Sequence, residues 1–224
     1  MANAATATFS GRSIITARLK GSGTEPKNIG WGTGTVTGSA NSDVNMFNPA
    51  TEGRVAGTSS MISTSFLADT YQVVGSITCL NAGKTITEAG LFDSVTNGPQ
   101  TTLAATVASA GTTVFPLGAP VGPTVGNFYA QIGNEVVLVT AGQNTTSVSV
   151  VRAQLGSVAA ANYPAGTSFT PGGDGGAYSL ATVGGATAAW TPALGGSLFA
   201  HADFAGIAVS VNDSINFTFR DQFA

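Results

Sequence analysis

SINFTFR (214–220) places Ile215, Phe217 and Phe219 on one side of an extended chain and Ser214, Asn216, Thr218 and Arg220 on the other. Alternation with a period of two marks a strand that has one face on a core and the other in water. The turn residues Val211-Asn212-Asp213 precede it, and SLFAHADF (197–204) alternates in the same way before that turn. Further back, YQVVGSITCL (71–80) reads as a strand in which Gly75 is a weak point or bulge. KTITEAGLFD (84–93) follows Asn81-Ala82-Gly83, a short glycine-containing turn that suits a hairpin. SIITARLK (13–20) predicts another strand. Helical periodicity is hard to find, and the Ala-rich stretches at 158–161 and 186–189 are short and flanked by Gly, Pro or Thr. The pattern predicts an all-β protein, an antiparallel β-sandwich or barrel.

The middle of the chain is organised differently. Between 101 and 171 short strand patterns follow one another, including TTVFPL, NFYAQIG, NEVVLVT and TSVSVVRA. Gly133-Asn134 and Gly142-Gln143-Asn144 supply hairpin turns between them. Breaker-rich loops flank the series, Asn97-Gly98-Pro99 before it and PGGDGG (171–176) after it. This predicts a main β-domain made of 1–98 and 177–224, with a small β-domain at 99–176 inserted into it and few contacts across the boundary.

Composition narrows the function classes. Charged residues are 8% of the 224, against about 25% in an ordinary soluble chain. With a net charge of −3 and eight Lys and Arg along the whole length, no electrostatic footprint for nucleic acid is present. No run approaches the roughly 20 apolar residues of a membrane span, so no membrane partner is expected. The opening MANAATATFSGRS lacks the basic and apolar regions of a signal peptide. One cysteine and one histidine argue against intrachain disulfides and Cys/His metal centres, and no cofactor is expected. A surface this poor in charge is expected to be covered by copies of itself, as a trimer or dimer, or by other proteins. Residues 1–7, small and uncharged, predict an arm that orders only on assembly.

The residues able to carry chemistry have plainer uses. Gly30-Trp31-Gly32-Thr33-Gly34 lacks the spacing and the following helix of a phosphate loop, so a tight turn that seats Trp31 is expected. His201 and Asp203 share a strand face, but no oriented serine accompanies them, and a solvated or interface histidine is expected. Glu88 and Asp93 fall on opposite faces of one strand, which is the wrong geometry for paired carboxylate catalysis. No enzymatic activity is expected. In a charge-poor domain Glu88 calls for a cation, and Arg54 and Arg18 are the candidates for a structural ion pair. Cys79 reads as a small buried hydrophobe. Phe128 and Tyr129, near the turn of the inserted domain, either stack on a sugar or fill a small core.

IGWGTGT (29–35), EGRVAGTSS (52–60), YQVVGSIT (71–78), ITEAGLFDS (86–94), LFAHADF (198–204) and NDSINFTF (212–219) together resemble a family of tailed-bacteriophage virion proteins. GNFYAQIGNEVVLVTAGQNTTSVSVVRAQLG (126–156) is similar to a β-module found in phage structural proteins, the match resting on Asn134-Glu135 and on 152–156. The resemblance implies a virion component, made in the cytoplasm of a bacterial host. It implies a capsid decoration or cement protein bound to the major capsid protein or other virion proteins. The other role it allows is a tail, baseplate or fibre component, with host glycan as a partner of the inserted module. The absence of fibre-shaft heptads and stalk repeats favours decoration.

Overall fold

The computed structural model describes residues 5–34, 38–124, 126–172 and 196–223. The main body comprises β1 (Thr6–Ala7), α1 (Phe9–Leu19), β2 (Asn28–Gly32), β3 (Val55–Ala56), β4 (Thr58–Ile62), β5 (Thr70–Thr78) and β6 (Lys84–Phe92). A second body follows: β7 (Thr101–Thr102), β8 (Val114–Pro116), β9 (Phe128–Ile132), β10 (Glu135–Ala141), β11 (Ser147–Val151) and β12 (Ser168–Pro171). The chain then returns to the first body as β13 (Leu198–Val209) and β14 (Ser214–Gln222). The protein is all-β, with antiparallel pairing throughout.

Two sheets form the main sandwich, ordered β1-β13-β6-β2-β3 and β14-β5-β4. Ile29, Trp31, Leu91 and Phe199 from the first sheet meet Val73, Ile77 and Phe219 from the second in one buried cluster. The alternation of 214–220 is realised there. Phe219 is buried and Ile215 and Phe217 half-buried, with the polar residues between them exposed. Trp31 and Phe217 meet edge to face at 6.4 Å.

The turn at 81–83 does not make the expected hairpin. β5 pairs with β14 and β4 while β6 pairs with β13 and β2, so the turn arches from one sheet to the other. The turn at 211–213 arches likewise, and the two are tied by Cys79 N–H to Asp213 O (2.8 Å) and Asn212 N–H to Cys79 O (2.7 Å). Asn212 takes a φ of +74°, which asparagine tolerates. Nor is Gly75 a bulge, because β5 keeps an unbroken register with β14. A Cβ there would stand 2.9 Å from Ile29 Cδ1 and 3.2 Å from Gly57 Cα, so the glycine lets the layers close.

The largest departure is at the N-terminus, where the stretch expected as a strand at 13–20 is helix as far as Leu19. α1 is capped by the Thr8 side chain, which accepts from Gly11 N–H at 3.0 Å. Gly11 is required because a Cβ would run into the backbone of Phe199. Ile14 is buried in the sandwich core. The run Ile14-Ile15-Thr16 has strand propensity, and docking on β13 overrides it. Part of the expected free arm is also ordered, since Thr6 and Ala7 pair with His201 and Ala200. Residues 1–4 lie outside the described residues.

The second body orders its strands β7-β12-β9-β10-β11-β8, and a bridge between Leu103 and Leu117 brings the two edges together. The sheet thus curls into a small barrel filled by Phe115, Phe128, Ile132, Val137, Val148 and Phe169. Gly133-Asn134 forms the expected two-residue hairpin, with Ile132 opposite Glu135. The expected return point at 177 lies outside the described residues. The boundary is more heavily bridged than the flanking glycines suggest. Val44 packs on Tyr129, Val136 and Leu138, Asn45 Nδ2 donates to Pro171 O (2.8 Å), and Thr170 Oγ1 donates to Met46 O (3.4 Å).

Candidate functional site

Residues 43–48, which dock the barrel, also roof the outer face of β6 and β13. Beneath that roof Glu88, Asp43 and His201 are buried together. Glu88 accepts from Gly34 N–H (3.1 Å) and Asn48 N–H (2.7 Å) at Oε1, and from Phe47 N–H (2.7 Å) at Oε2. His201 Nε2 stands 3.0 Å from Glu88 Oε2, and its Nδ1 stands 2.7 Å from Asp43 Oδ2. The Phe47 ring closes over the imidazole edge to face, with centroids 4.6 Å apart.

Of the glycines at 30, 32 and 34, the last two make this pocket possible. The first two lie in β2 rather than in a tight turn, and Trp31 between them points into the sandwich core. A Cβ on Gly32 would strike Glu88 Oε1 and Asn48 O, and one on Gly34 would come within 2.8 Å of Glu88 Oε1. The series holds a carboxylate, not a phosphate.

Several expectations are corrected here. Glu88 is surrounded by His201 and backbone N–H groups rather than by Arg54 or Arg18. Arg54 lies further along, its guanidinium carbon 3.3 Å from the Phe92 ring centroid and its Nη1 donating to Ser94 O and Thr96 O. Arg18 is exposed on α1 and donates to Gly23 O (3.2 Å). His201 is not solvated: its relative exposure is 0%. Burial alone would lower its pKa, but hydrogen bonds and charge from Asp43 and Glu88 outweigh this and hold it at about 9. Asp203 accepts from Gly38 and Ser39 N–H, which lowers its pKa against burial. Cys79 is buried in the sandwich core.

Phe128 and Tyr129 are buried as well, Phe128 inside the barrel and Tyr129 against Val44, so neither presents a ring to a sugar. In the barrel, the residues that carry the β-module resemblance meet. Arg152 Nε and Nη2 each donate to Glu135 at 2.6 Å, and Ala153 N–H (3.0 Å) and Tyr163 Oη (3.0 Å) donate to the same carboxylate. Among the described residues, no group of three or more His, Cys, Asp or Glu side chains could hold a metal ion.

The accessible face with a distinct character lies elsewhere, between α1 and β4–β5. A groove of about 700 Å³ opens there, walled by Ile14, Ile15 and Leu19 on one side and by Met61, Tyr71 and Phe223 on the other. Beside it the loop 63–69 holds out Phe66 and Leu67, exposed to 70% and 92%. This loop is not slack. Asp69 accepts from Thr64, Ser65 and Phe66 N–H at 2.8 Å each, and Ala68 N–H donates to Ser63 Oγ at 3.0 Å. Phe223 N–H donates to Asp69 O (2.9 Å), tying the loop to the end of β14.

Sequence reasoning missed Asp43 and Gln131, which are ordinary polar residues in isolation, and it missed Phe66 and Leu67. The signal for the last two was STSFLAD (63–69), two large apolar residues inside a Ser/Thr/Asp turn pattern. The chain matches no family model, no curated protein and no solved structure.

Proposed function

We propose that this protein is a bacteriophage virion structural subunit, a capsid decoration protein that attaches to the assembled head through the apolar face beside α1. The observation that carries this reading is a stiffened loop presenting Phe66 and Leu67 next to an apolar groove, on a chain with 8% charged residues. Exposed contiguous apolar surface marks a protein-binding face, and a loop already fixed in shape loses little entropy when it docks. The phage resemblance names the occupant of that face as the major capsid protein, with neighbouring copies of this chain, as a dimer or trimer, completing the coat. The barrel forms its own sheet, docked on the sandwich through residues 43–48. In this reading the protein catalyses nothing, and its place is the virion, after synthesis in the host cytoplasm.

Tail attachment is the competing reading, and its glycan-binding form loses support because Phe128 and Tyr129 are buried. Quantifying the protein in purified particles separates the two. A copy number comparable to that of the major capsid protein supports decoration, and a handful per particle overturns it. Phe66→Ser with Leu67→Ser is expected to keep the fold and lose particle binding.

A further inference from the structure

We propose that His201 is a charged latch: its imidazolium pins Asp43 to the sandwich and, through Asp43, the contacts that Gln131 and Val44 make in docking the barrel, and loss of its proton releases that part of the dock. The inference is independent of any role in a virion. It follows from where protons can reside.

All four oxygens of the two carboxylates are engaged by N–H donors. Glu88 Oε1 faces Gly34 and Asn48 N–H, and Oε2 faces Phe47 N–H and His201 Nε2. Asp43 Oδ2 faces Ala40 N–H (2.8 Å) and His201 Nδ1, and Oδ1 faces Gln131 Nε2 (3.3 Å). A neutral imidazole has one N–H and one lone pair, so one ring nitrogen would then oppose a carboxylate lone pair across about 3 Å. With both carboxylates ionised, only the imidazolium satisfies both contacts.

The groups facing the ring from every side fit this assignment. Asp43 comes from the roof and Glu88 from β6, and Asp203 lies two positions along β13 and interacts with the ring through its charge. β1, which pairs with the strand at His201, brings no charge, and Arg12 and Arg18 of α1 and Lys20 at its C-terminal cap are exposed. The site therefore holds more negative than positive charge even with the ring protonated, and backbone and amide N–H groups supply the remainder.

What the latch holds is the barrel. Gln131 on β9 divides its amide among Asp43 Oδ1, Gly133 O (2.7 Å) and, as acceptor, Val44 N–H (3.1 Å). If the ring loses its charge, two buried carboxylates face each other across a neutral group. Glu88 is fixed by three backbone N–H groups, two of which (Phe47 and Asn48) hold the far end of the roof whatever the ring's charge, so Asp43 at its near end is the group able to move. Moving it withdraws Gln131's partner and the Val44 contacts with Tyr129, Val136 and Leu138.

The chain has a single histidine, so ring nitrogen NMR on the intact protein tests this directly. Both ring nitrogens are expected to be protonated at pH 7.5 and to titrate only near pH 9. Amide exchange gives the second readout. From pH 7 to pH 10 the protection factor of Val44 N–H should fall by roughly tenfold or more relative to Val150 N–H in the barrel and Cys79 N–H in the sandwich. Asp43→Asn should lower the ring's titration midpoint while both bodies remain folded. A neutral ring at pH 7.5 overturns the proposal. So does protection at Val44 that stays constant to pH 10 or falls only in step with Val150 and Cys79.

Discussion

Glu135 in the barrel and Glu88 in the sandwich are both wholly buried and both ringed by N–H donors, but the cations beside them differ in kind. Glu135 has Arg152, whose planar fork meets both carboxylate oxygens and whose charge does not titrate in the accessible range. Glu88 has His201, whose charge can be removed. The reach of the two cations differs as well. Arg152 also donates to the carbonyls of Ser109, Ala110, Thr112 and Ala160, all inside its own barrel. His201 binds a segment that belongs to the sandwich yet docks the other body. A permanent charge secures the interior of one body, and a conditional charge secures the joint between two.

The largest expected effect comes from breaking the permanent pair. Glu135→Gln leaves Arg152 buried without its anion, and removing one partner of a buried pair costs about 3–5 kcal/mol. Denaturant unfolding of the full chain should show a loss of that order. Arg152→Lys should be nearly as harmful, since an ammonium cannot reproduce the two parallel bonds or the four carbonyl contacts. A loss under about 1 kcal/mol, as for an exposed pair, would remove the distinction drawn between the two sites.

An intermediate effect is expected at the glycine that shapes the conditional site. Gly32→Ala drives a methyl group into Glu88 Oε1 and Asn48 O, which cannot both retreat. Overpacking of this kind costs about 1–3 kcal/mol. Gly53→Ala is the control, because no atom lies within 4 Å of a Cβ there. It should be neutral, with its melting temperature within the scatter of the parent. If Gly32→Ala proves equally neutral, the pocket is roomier than its geometry implies.

The two sites were unequally legible in the sequence for a physical reason. Glu135 and Arg152 sit 17 positions apart within one stretch that resembles a β-module, so the resemblance reached both residues, although their pairing was not read from it. Glu88 and Asp43 meet His201 from 113 and 158 positions away, and no local pattern links them. Glu88 was singled out, but it was assigned to Arg54 or Arg18, because spacing gives no bond partners between strands of unknown order. The strands were read where one face is buried, as at 214–220, and α1 was not, because its β-branched run is helical only by virtue of the cap at Thr8 and the seat on β13. The arches at 81–83 and 211–213 look like hairpins locally, and only the sheet order distinguishes them.

The smallest expected effect on global stability concerns a third carboxylate, which has no cation. Asp69 stabilises the 63–69 loop through the N–H groups of Thr64, Ser65 and Phe66, helped by the Thr64 and Thr70 hydroxyls and the Gln222 amide. Desolvation would raise its pKa, but the bonds from Phe66, Thr64 and Ser65 prevail and hold it well below the usual carboxylate value. The sign of the pH dependence follows. A pKa depressed by folding contributes order that is complete above the unfolded value of about 3.9 and is lost as pH falls through the folded value. Acid should therefore loosen this loop only at very low pH, the reverse of the alkaline release expected at His201. At neutral pH Asp69→Ala removes the same bonds. Because the loop carries Phe66 and Leu67 into solvent rather than into a core, the melting temperature should hardly move. Amide protection at Ser65 and Phe66 should collapse, and cleavage after Phe66 by a protease selective for aromatic residues should accelerate. Particle binding should weaken in parallel, since the ordering that Asp69 supplies would then have to be met at the interface. If Asp69→Ala leaves those amides protected, the loop is held by its tie to Phe223 instead, and a carboxylate without a cation counts for less than either buried pair.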